Sequence, residues 1–331
     1  NILGNTLFGS LSGSSVAASV AIGGVLIPME EKEGYDKKFA AAVNIASAPT
    51  GLIIPPSGIL IIYPVLAGCS VVGMIMSGYI PGLMWALACM VVAYVIAKKN
   101  HYPTAGKVPA SVFFKYFVDA IPSLLLIVII VGGVMSGIFT ATESAAVAVA
   151  YTLFLSIVVY RSIKIKDLPK ILLDACETTA VIMFLIAGSN VMSFVMSFTG
   201  LPSAIGNALI SVSSNKYVIL LIINLVLLVV GCFMDITPAV LIFTPIFLPV
   251  VQSFGMDPIH FGIMMVMNLG IGNITPPVGS ALFSGCSVAD MDMEDMIKPI
   301  LPFYAAIFVA LMLVAYVPWF SMALPTLFGA V

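Results

Sequence analysis

Residues 270–285 read GIGNITPPVGSALFSG. Pro276 and Pro277 stand side by side in a stretch that is otherwise largely apolar on both sides. Proline lacks a backbone donor and its ring clashes with the preceding turn, so any helix passing through this pair must break. The surroundings make such a break expensive. Hydrophobic residues are 61% of the chain, charged residues 8%, and mean hydropathy is +1.17, whereas soluble domains carry about a quarter charged residues. The composition excludes a soluble core and implies an all-α polytopic membrane protein embedded in a lipid bilayer. The net charge of -2 says nothing about partners, and no nucleic acid is expected among them.

The break has a twin. Residues 51–58 read GLIIPPSG, and their Pro55 and Pro56 precede Pro276 and Pro277 by 221 residues. The same offset pairs Pro28 with Pro249, Gly34 with Gly255, Asp36 with Asp257, Gly51 with Gly272 and Gly58 with Gly279. GCSV recurs at 68–71 and 285–288. A constant offset over some thirty residues indicates duplication. The second copy follows a long membrane segment, 112–230, with no counterpart before Asn1. The sequence is therefore expected to lack about 100 residues at its N-terminus.

Charge sets the orientation. Lys32, Lys37 and Lys38 lie in loop 30–38, Lys98, Lys99, Lys107 and Lys115 in segment 98–118, and Arg161, Lys164, Lys166 and Lys170 in segment 161–170. Spans are expected near 79–97, 121–139, 142–160, 178–198 and 299–320, each long enough or nearly so for a hydrocarbon core that needs about 20 residues. With loop 30–38 inside, twelve of the thirteen basic residues fall inside and only Lys216 outside, as the positive-inside rule prefers.

That parity requires two segments that enter and return without crossing. The stretch from Ser15 to Pro28 reads as too short to span, and SGSS (12–15) interrupts the apolar run before it. In the second copy, 216–231 descends, MDITP (234–238) turns and 239–251 climbs back. Oppositely oriented hairpins imply inverted repeats, as in secondary transporters. After each hairpin comes a helix broken at its centre, 39–68 and 259–286. Unwound backbone at membrane depth is tolerated only inside protein or along a wet cavity. Breaks free carbonyl oxygens and expose positive helix N-termini, the groups that hold a hard cation and an anionic substrate. One such kink would be ordinary in a membrane bundle; two at a fixed offset, each beside a polar turn, point to a site.

The residues FGSLSGSSVA, GYDKKFAAAVNIASAPTGLIIPPS, GIFTATESAAVAVAY and NLGIGNITPPVG resemble the large membrane subunit of tripartite ATP-independent periplasmic (TRAP) transporters, and the resemblance covers essentially the whole chain. It implies an elevator-type fold of the ion-transporter superfamily in the bacterial inner membrane. It also implies a coupling ion, Na+, with a small membrane (Q) subunit and a periplasmic substrate-binding protein as partners. By resemblance the sodium ligands fall at Ser10, Ser14, Gly51 and Pro55, and at Gly231, Asp235, Gly272 and Thr275. The 221 offset pairs Ser10 with Gly231, Ser14 with Asp235 and Gly51 with Gly272. Substrate contacts are expected from Ser12, Ser15, Ser57, Asp235, Thr237 and Asn273. The transport elements are then 1–78 and 216–290, with scaffold and arm helices in 79–215 and a C-terminal scaffold helix in 291–331.

Single residues sharpen this. Asp235 is an intramembrane carboxylate, which is costly and usually functional; its other reading is a cap for the returning half-helix. Glu143 reads as a helix cap, and Asp174 and Glu177 as interfacial. Arg161, the one arginine, lies in a cytoplasmic segment, so hydroxyls, amides and helix ends must bind an anionic substrate within the membrane, a carboxylated one by what the resemblance implies. Sialic acid suits the hydroxyls of Ser12, Ser14, Ser15 and Thr237, ahead of a C4-dicarboxylate. Cys69, Cys89, Cys176, Cys232 and Cys286 are isolated in apolar runs and read as packing residues. No paired intramembrane aspartates, Ser–His pair or HExxH supports an enzyme, and closed polar tips suit alternating access better than a channel.

Overall fold

The computed structural model describes residues 1–103, 109–213 and 215–330, and among them there is no strand. Of the basic residues used above for orientation, Lys107 lies outside the described residues. Seven helical stretches are apolar and long enough to cross a membrane among the described residues, from Val71–Lys99 to Met293–Tyr316. The chain is a multi-pass membrane protein.

Two compact units divide it. One comprises 1–103 and 192–331, the other 104–191.

The first unit begins with α1 (Ile2–Ser12) and α2 (Ser15–Lys32), joined by Gly13 and Ser14. Gly13 takes a φ of 63° to end α1, and the Ser14 hydroxyl accepts from Ala17 N–H to start α2, a left-handed stop followed by an N-cap. A broken helix follows as α3 (Lys37–Ser47), α4 (Thr50–Ile53) and α5 (Ile59–Ala67), opened by the Asp36 carboxylate on Phe39 N–H at 2.9 Å. Then come α6 (Val71–Ser77) and α7 (Tyr79–Lys99).

In the second unit lie α8 (Ala110–Ile127), a π-helical turn, α9 (Gly133–Met135) and α10 (Ala141–Phe154). The turn between α9 and α10 falls in GIFTATES, as expected. Thr140 and Glu143 form a reciprocal capping box, the Thr140 N–H donating to Oε2 of Glu143 at 2.8 Å, so Glu143 serves the helix start. Helix α11 (Leu168–Thr199) is longer than the span read from sequence and carries Asp174 and Glu177 on its exposed surface.

After α12 (Leu201–Val212), the order of the first residues repeats. The pair α13 (Lys216–Phe233) and α14 (Ile236–Ser253) is followed by α15 (Pro258–Gly272), a break over 273–279, and α16 (Ser280–Val288). Asp257 caps α15 through Ile259 N–H at 2.8 Å, as Asp36 caps α3. Both breaks contain a cis bond between their two prolines, Pro55–Pro56 and Pro276–Pro277. The chain closes with α17 (Met293–Tyr316) and α18 (Trp319–Leu327).

One expectation needs correction. Helix α2 does not end at Pro28 but runs through it to Lys32, 18 residues in all. At 1.5 Å per residue that is about 27 Å, close to the bilayer's hydrocarbon thickness. The same length is found in α13 and α14, so shortness does not mark any of these segments as re-entrant.

The core is built on the broken helices. Every residue from Ile259 to Gly272 is buried, as is every residue from Ala40 to Ser47. A helix apolar on all sides belongs inside a bundle. Helices α7 and α17 pack against α3, and α17 also against α15. Trp85 of α7, fully buried, donates its Nε1–H to the Ala46 carbonyl at 2.9 Å. Phe303, Ile307 and Leu311 on α17 are equally enclosed.

Candidate functional site

Each hairpin crosses its own broken helix through a pair of glycines. A Cβ built on Gly9 would lie 2.6 Å from Gly51 Cα, and one built on Gly51 would lie 2.5 Å from Gly9 Cα. In the second half a Cβ on Gly272 would lie 2.4 Å from the Gly231 carbonyl carbon, and one on Gly231 would lie 3.1 Å from Gly272 Cα. Backbone meets backbone at both places, which only glycine allows.

This geometry shifts one of the expected pairings. The partner of Gly231 is Gly9, not Ser10. Ser10 is buried and turns its hydroxyl back onto the Leu7 carbonyl at 2.8 Å. Ser14 and Asp235 remain equivalent, each the residue before a returning arm. The first tip thus holds one residue more between crossing and cap, and Gly13 supplies the extra turn.

At the first break Pro55 is buried and Ser57 is buried with its Oγ lacking any hydrogen-bond partner. Gly13 sits over it, within 3.3 Å of the Pro56 carbonyl by the position of an added Cβ. Ser12 is exposed, and its Oγ approaches only the Gly9 and Ser14 carbonyls and the Ser14 N–H, at 3.4–3.5 Å.

The second break is more tightly bridged. Val278 N–H donates to the Cys232 carbonyl at 3.1 Å, tying the hairpin tip to the unwound segment. Thr275 Oγ1 donates to the Ile271 carbonyl at 2.6 Å, and Tyr304 of α17 donates its hydroxyl to the Ile274 carbonyl. Asp235 stands at the N-cap position of α14, yet its carboxylate makes no capping bond and is exposed. Among the described residues its side chain accepts from Ser280 Oγ at 3.3 Å. Thr237 is half-buried on the first turn of α14.

Asn273 joins the halves. Its Nδ2 donates to Ser15 Oγ at 2.5 Å, across to the first hairpin tip. Its Oδ1 accepts from Ser280 Oγ and, at 3.4 Å, from Ala281 N–H. Ser280 therefore belongs to the site although the sequence reading passed over it. Its signal was its position, the first residue of the half-helix after Gly279.

A second layer of amides was also passed over. Asn5 Nδ2 lies within 3.0 Å of the Asn44 carbonyl, Asn44 Oδ1 and Ser47 Oγ, and Asn268 Nδ2 within 2.8 Å of the Asn224 carbonyl and Oδ1. Asn5 Oδ1 and Asn268 Oδ1 are buried without a donor. Both halves thus carry a surplus of neutral oxygen where hairpin arm meets broken helix. No three His, Cys, Asp or Glu side chains come together among the described residues. The donor set of carbonyls, hydroxyls and amides suits a hard monovalent cation better than a transition metal.

Two cavities do not share this chemistry. One of about 410 Å³ beside Thr275 is walled by Leu228, Ile271, Tyr304 and Phe308 and is almost wholly apolar. Another of about 230 Å³, near Lys216, Asp257 and His260, sits at the opposite end of α13 from its tip.

The family model described as "Tripartite ATP-independent periplasmic transporter, DctM component" matches residues 1–320. The chain belongs to this family. Among DctM relatives, the sialic acid TRAP transporter large permease protein SiaM of Vibrio cholerae is 38% identical over 99% of this chain and 77% of its own length. The C4-dicarboxylate TRAP transporter large permease protein DctM of Pseudomonas aeruginosa is 37% identical over the same shares. A Salmonella typhimurium protein designated uncharacterized protein YgiK is 51% identical over 99% of this chain and 76% of its own. As a DctM component the chain is an inner-membrane permease and not an enzyme. Membership implies a periplasmic binding protein, and usually a small Q subunit, as partners.

Proposed function

We propose that the chain carries out sodium-coupled uptake of a carboxylated solute handed over by a periplasmic binding protein, by alternating access of the elevator type. The observation that carries this reading is the doubled Gly–Gly crossing, each beside an unwound segment rich in neutral oxygens. Each crossing gathers carbonyls and hydroxyls at one depth, and two of them provide two cation positions related by a pseudo-twofold, Ser10, Ser14, Gly51 and Pro55 contributing to one and Gly231, Asp235, Gly272 and Thr275 to the other.

Re-entrant hairpins in inverted repeats are consistent with the climb of the helices. Lys216 to Gly231 and Pro258 to Gly272 are sixteen and fifteen residues, each rising a little over about 20 Å before they meet. The Gly231–Gly272 crossing then lies inside the hydrocarbon core, which is about 30 Å thick. Burial of Trp85, Phe303 and Ile307 against the broken helices favours moving α7 and α17 together with them, so we assign these two helices to the transporting body instead of the scaffold.

A large polyhydroxylated acid such as sialic acid remains ahead of a C4-dicarboxylate because hydroxyls crowd the tips. Ser15 is engaged by Asn273, which leaves Ser12, Ser14, Thr237 and Asp235 for the solute, with Ser57 buried and its Oγ unpartnered. The test is uptake into proteoliposomes holding the permease, its small subunit and a candidate binding protein. Accumulation should require an inward sodium gradient and stop when that gradient is collapsed; uptake indifferent to sodium would refute the coupling, and passive equilibration would indicate a channel.

A further inference from the structure

We propose that Asn273 is the residue that couples the two cation positions, through its hydrogen bond to Ser15. The inference rests on the sodium-coupled reading above and adds to it a physical link and a direction of test.

The link follows from where the two residues stand. Asn273 directly follows Gly272, which lies against Gly231 at the second crossing. Ser15 directly follows Ser14, the cap of the first hairpin's returning arm. Their side chains meet at 2.5 Å, and both residues are at least 97% buried. The Asn273 amide is held at both ends, with one Nδ2 proton on Ser15 and Oδ1 receiving Ser280 Oγ and Ala281 N–H. Turning this buried amide would break the bonds at both ends and leave polar atoms unpaired, so it holds one orientation. A cation that orders the second break therefore also fixes the acceptor side chain at the first tip, and the reverse holds by linkage.

The arrangement breaks the internal symmetry. At the 221 offset, Asn273 corresponds to Leu52 and Ser280 to Ile59. Neither can form the mirror-image bond, so among the described residues Asn273–Ser15 is the side-chain hydrogen bond that runs from one half's break to the other half's tip. This also assigns Asn273 a positioning role in place of the substrate contact expected from sequence.

Asn273→Leu gives the second break the residue that the first already accommodates, and Ser15→Ala removes the acceptor hydroxyl alone. In the full transporter, sodium titrations of uptake should show the Hill coefficient falling from about two toward one, and half-saturating sodium rising about five-fold, the loss expected for one buried hydrogen bond. The double variant should be no worse than either single one, and the KM for solute at saturating sodium should stay unchanged. Sodium-dependent thermal stabilisation of the purified protein should lose its cooperativity in parallel. Should Asn273→Leu fail to fold, Ser15→Ala decides.

An unchanged Hill coefficient in folded Ser15→Ala, additive effects in the double variant, or a raised solute KM with normal sodium dependence would each overturn the coupling role. A wild-type Hill coefficient of one overturns this inference and leaves sodium coupling standing. Sodium-independent uptake by the wild type overturns both.

Discussion

Gly272 lies so close to Gly231 that a Cβ on Gly272 would fall 2.4 Å from the Gly231 carbonyl carbon and 2.8 Å from its oxygen. The obstructing atoms are backbone, so they cannot rotate aside. Gly272→Ala must push the hairpin tip off the break, and Gly51→Ala must do the same to Gly9. Overpacking of this kind costs about 1–3 kcal/mol, and we expect either variant alone to raise half-saturating sodium, read by uptake and by melting temperature. Gly58→Ala is the control: its φ of -60° is ordinary, and an added Cβ meets nothing within 4 Å.

Asp235→Asn separates a structural carboxylate from a functional one. Since the side chain makes no cap and is exposed, the change should leave stability within about 0.5 kcal/mol of wild type. Uptake at low sodium should nevertheless fall. Thermal melts alongside transport assays decide, and a large loss of stability with intact uptake would return Asp235 to a capping role.

Thr275→Val tests how ligands are held at the second break. The hydroxyl proton is committed to the Ile271 carbonyl at 2.6 Å, leaving only the oxygen lone pairs for a cation. Valine keeps the shape and removes both, so sodium affinity should drop by no more than roughly 1.5–3 kcal/mol. The binding-protein interaction should be untouched, as measured by complex formation.

Trp85→Phe addresses the anchoring of α7. It leaves the Ala46 carbonyl, buried beneath a fully enclosed side chain, without its indole donor. Stability should fall by about 1–3 kcal/mol while half-saturating sodium stays put. A change in sodium dependence without loss of stability would contradict the anchoring role.

Orientation is open to labelling. A membrane-impermeant thiol reagent added outside should modify Lys216→Cys and spare Lys37→Cys, in a background without the native cysteines. The reverse pattern would overturn the hairpin assignment.

Much of this architecture could be read from the chain because it rests on local chemistry. Pro55–Pro56 and Pro276–Pro277 announce their breaks wherever they fall, and Asp36 and Asp257 cap helices that begin beside them. The fixed offset located Gly51 and Gly272 but matched Gly231 with Ser10, whereas the crossings make Gly9 its counterpart because the first tip holds one extra residue. Pro28 misled for a related reason: proline biases a helix toward ending, and here packing carries α2 four residues further. Ser280 and the Asn5–Asn44 and Asn224–Asn268 pairs escaped notice because their partners are 7 to 45 residues away, and only folding reveals which amide faces which.

The central claim, that two crossings hold two sodium ions moved with each solute, is most directly tested by counting. Proteoliposomes loaded through the binding protein with isotopically labelled solute, in a medium containing radiolabelled sodium, report both fluxes at once. The account predicts at least two sodium ions per solute, one for each crossing, with Gly51→Ala and Gly272→Ala each lowering sodium flux and solute flux together. Solute entry with no accompanying sodium would contradict it.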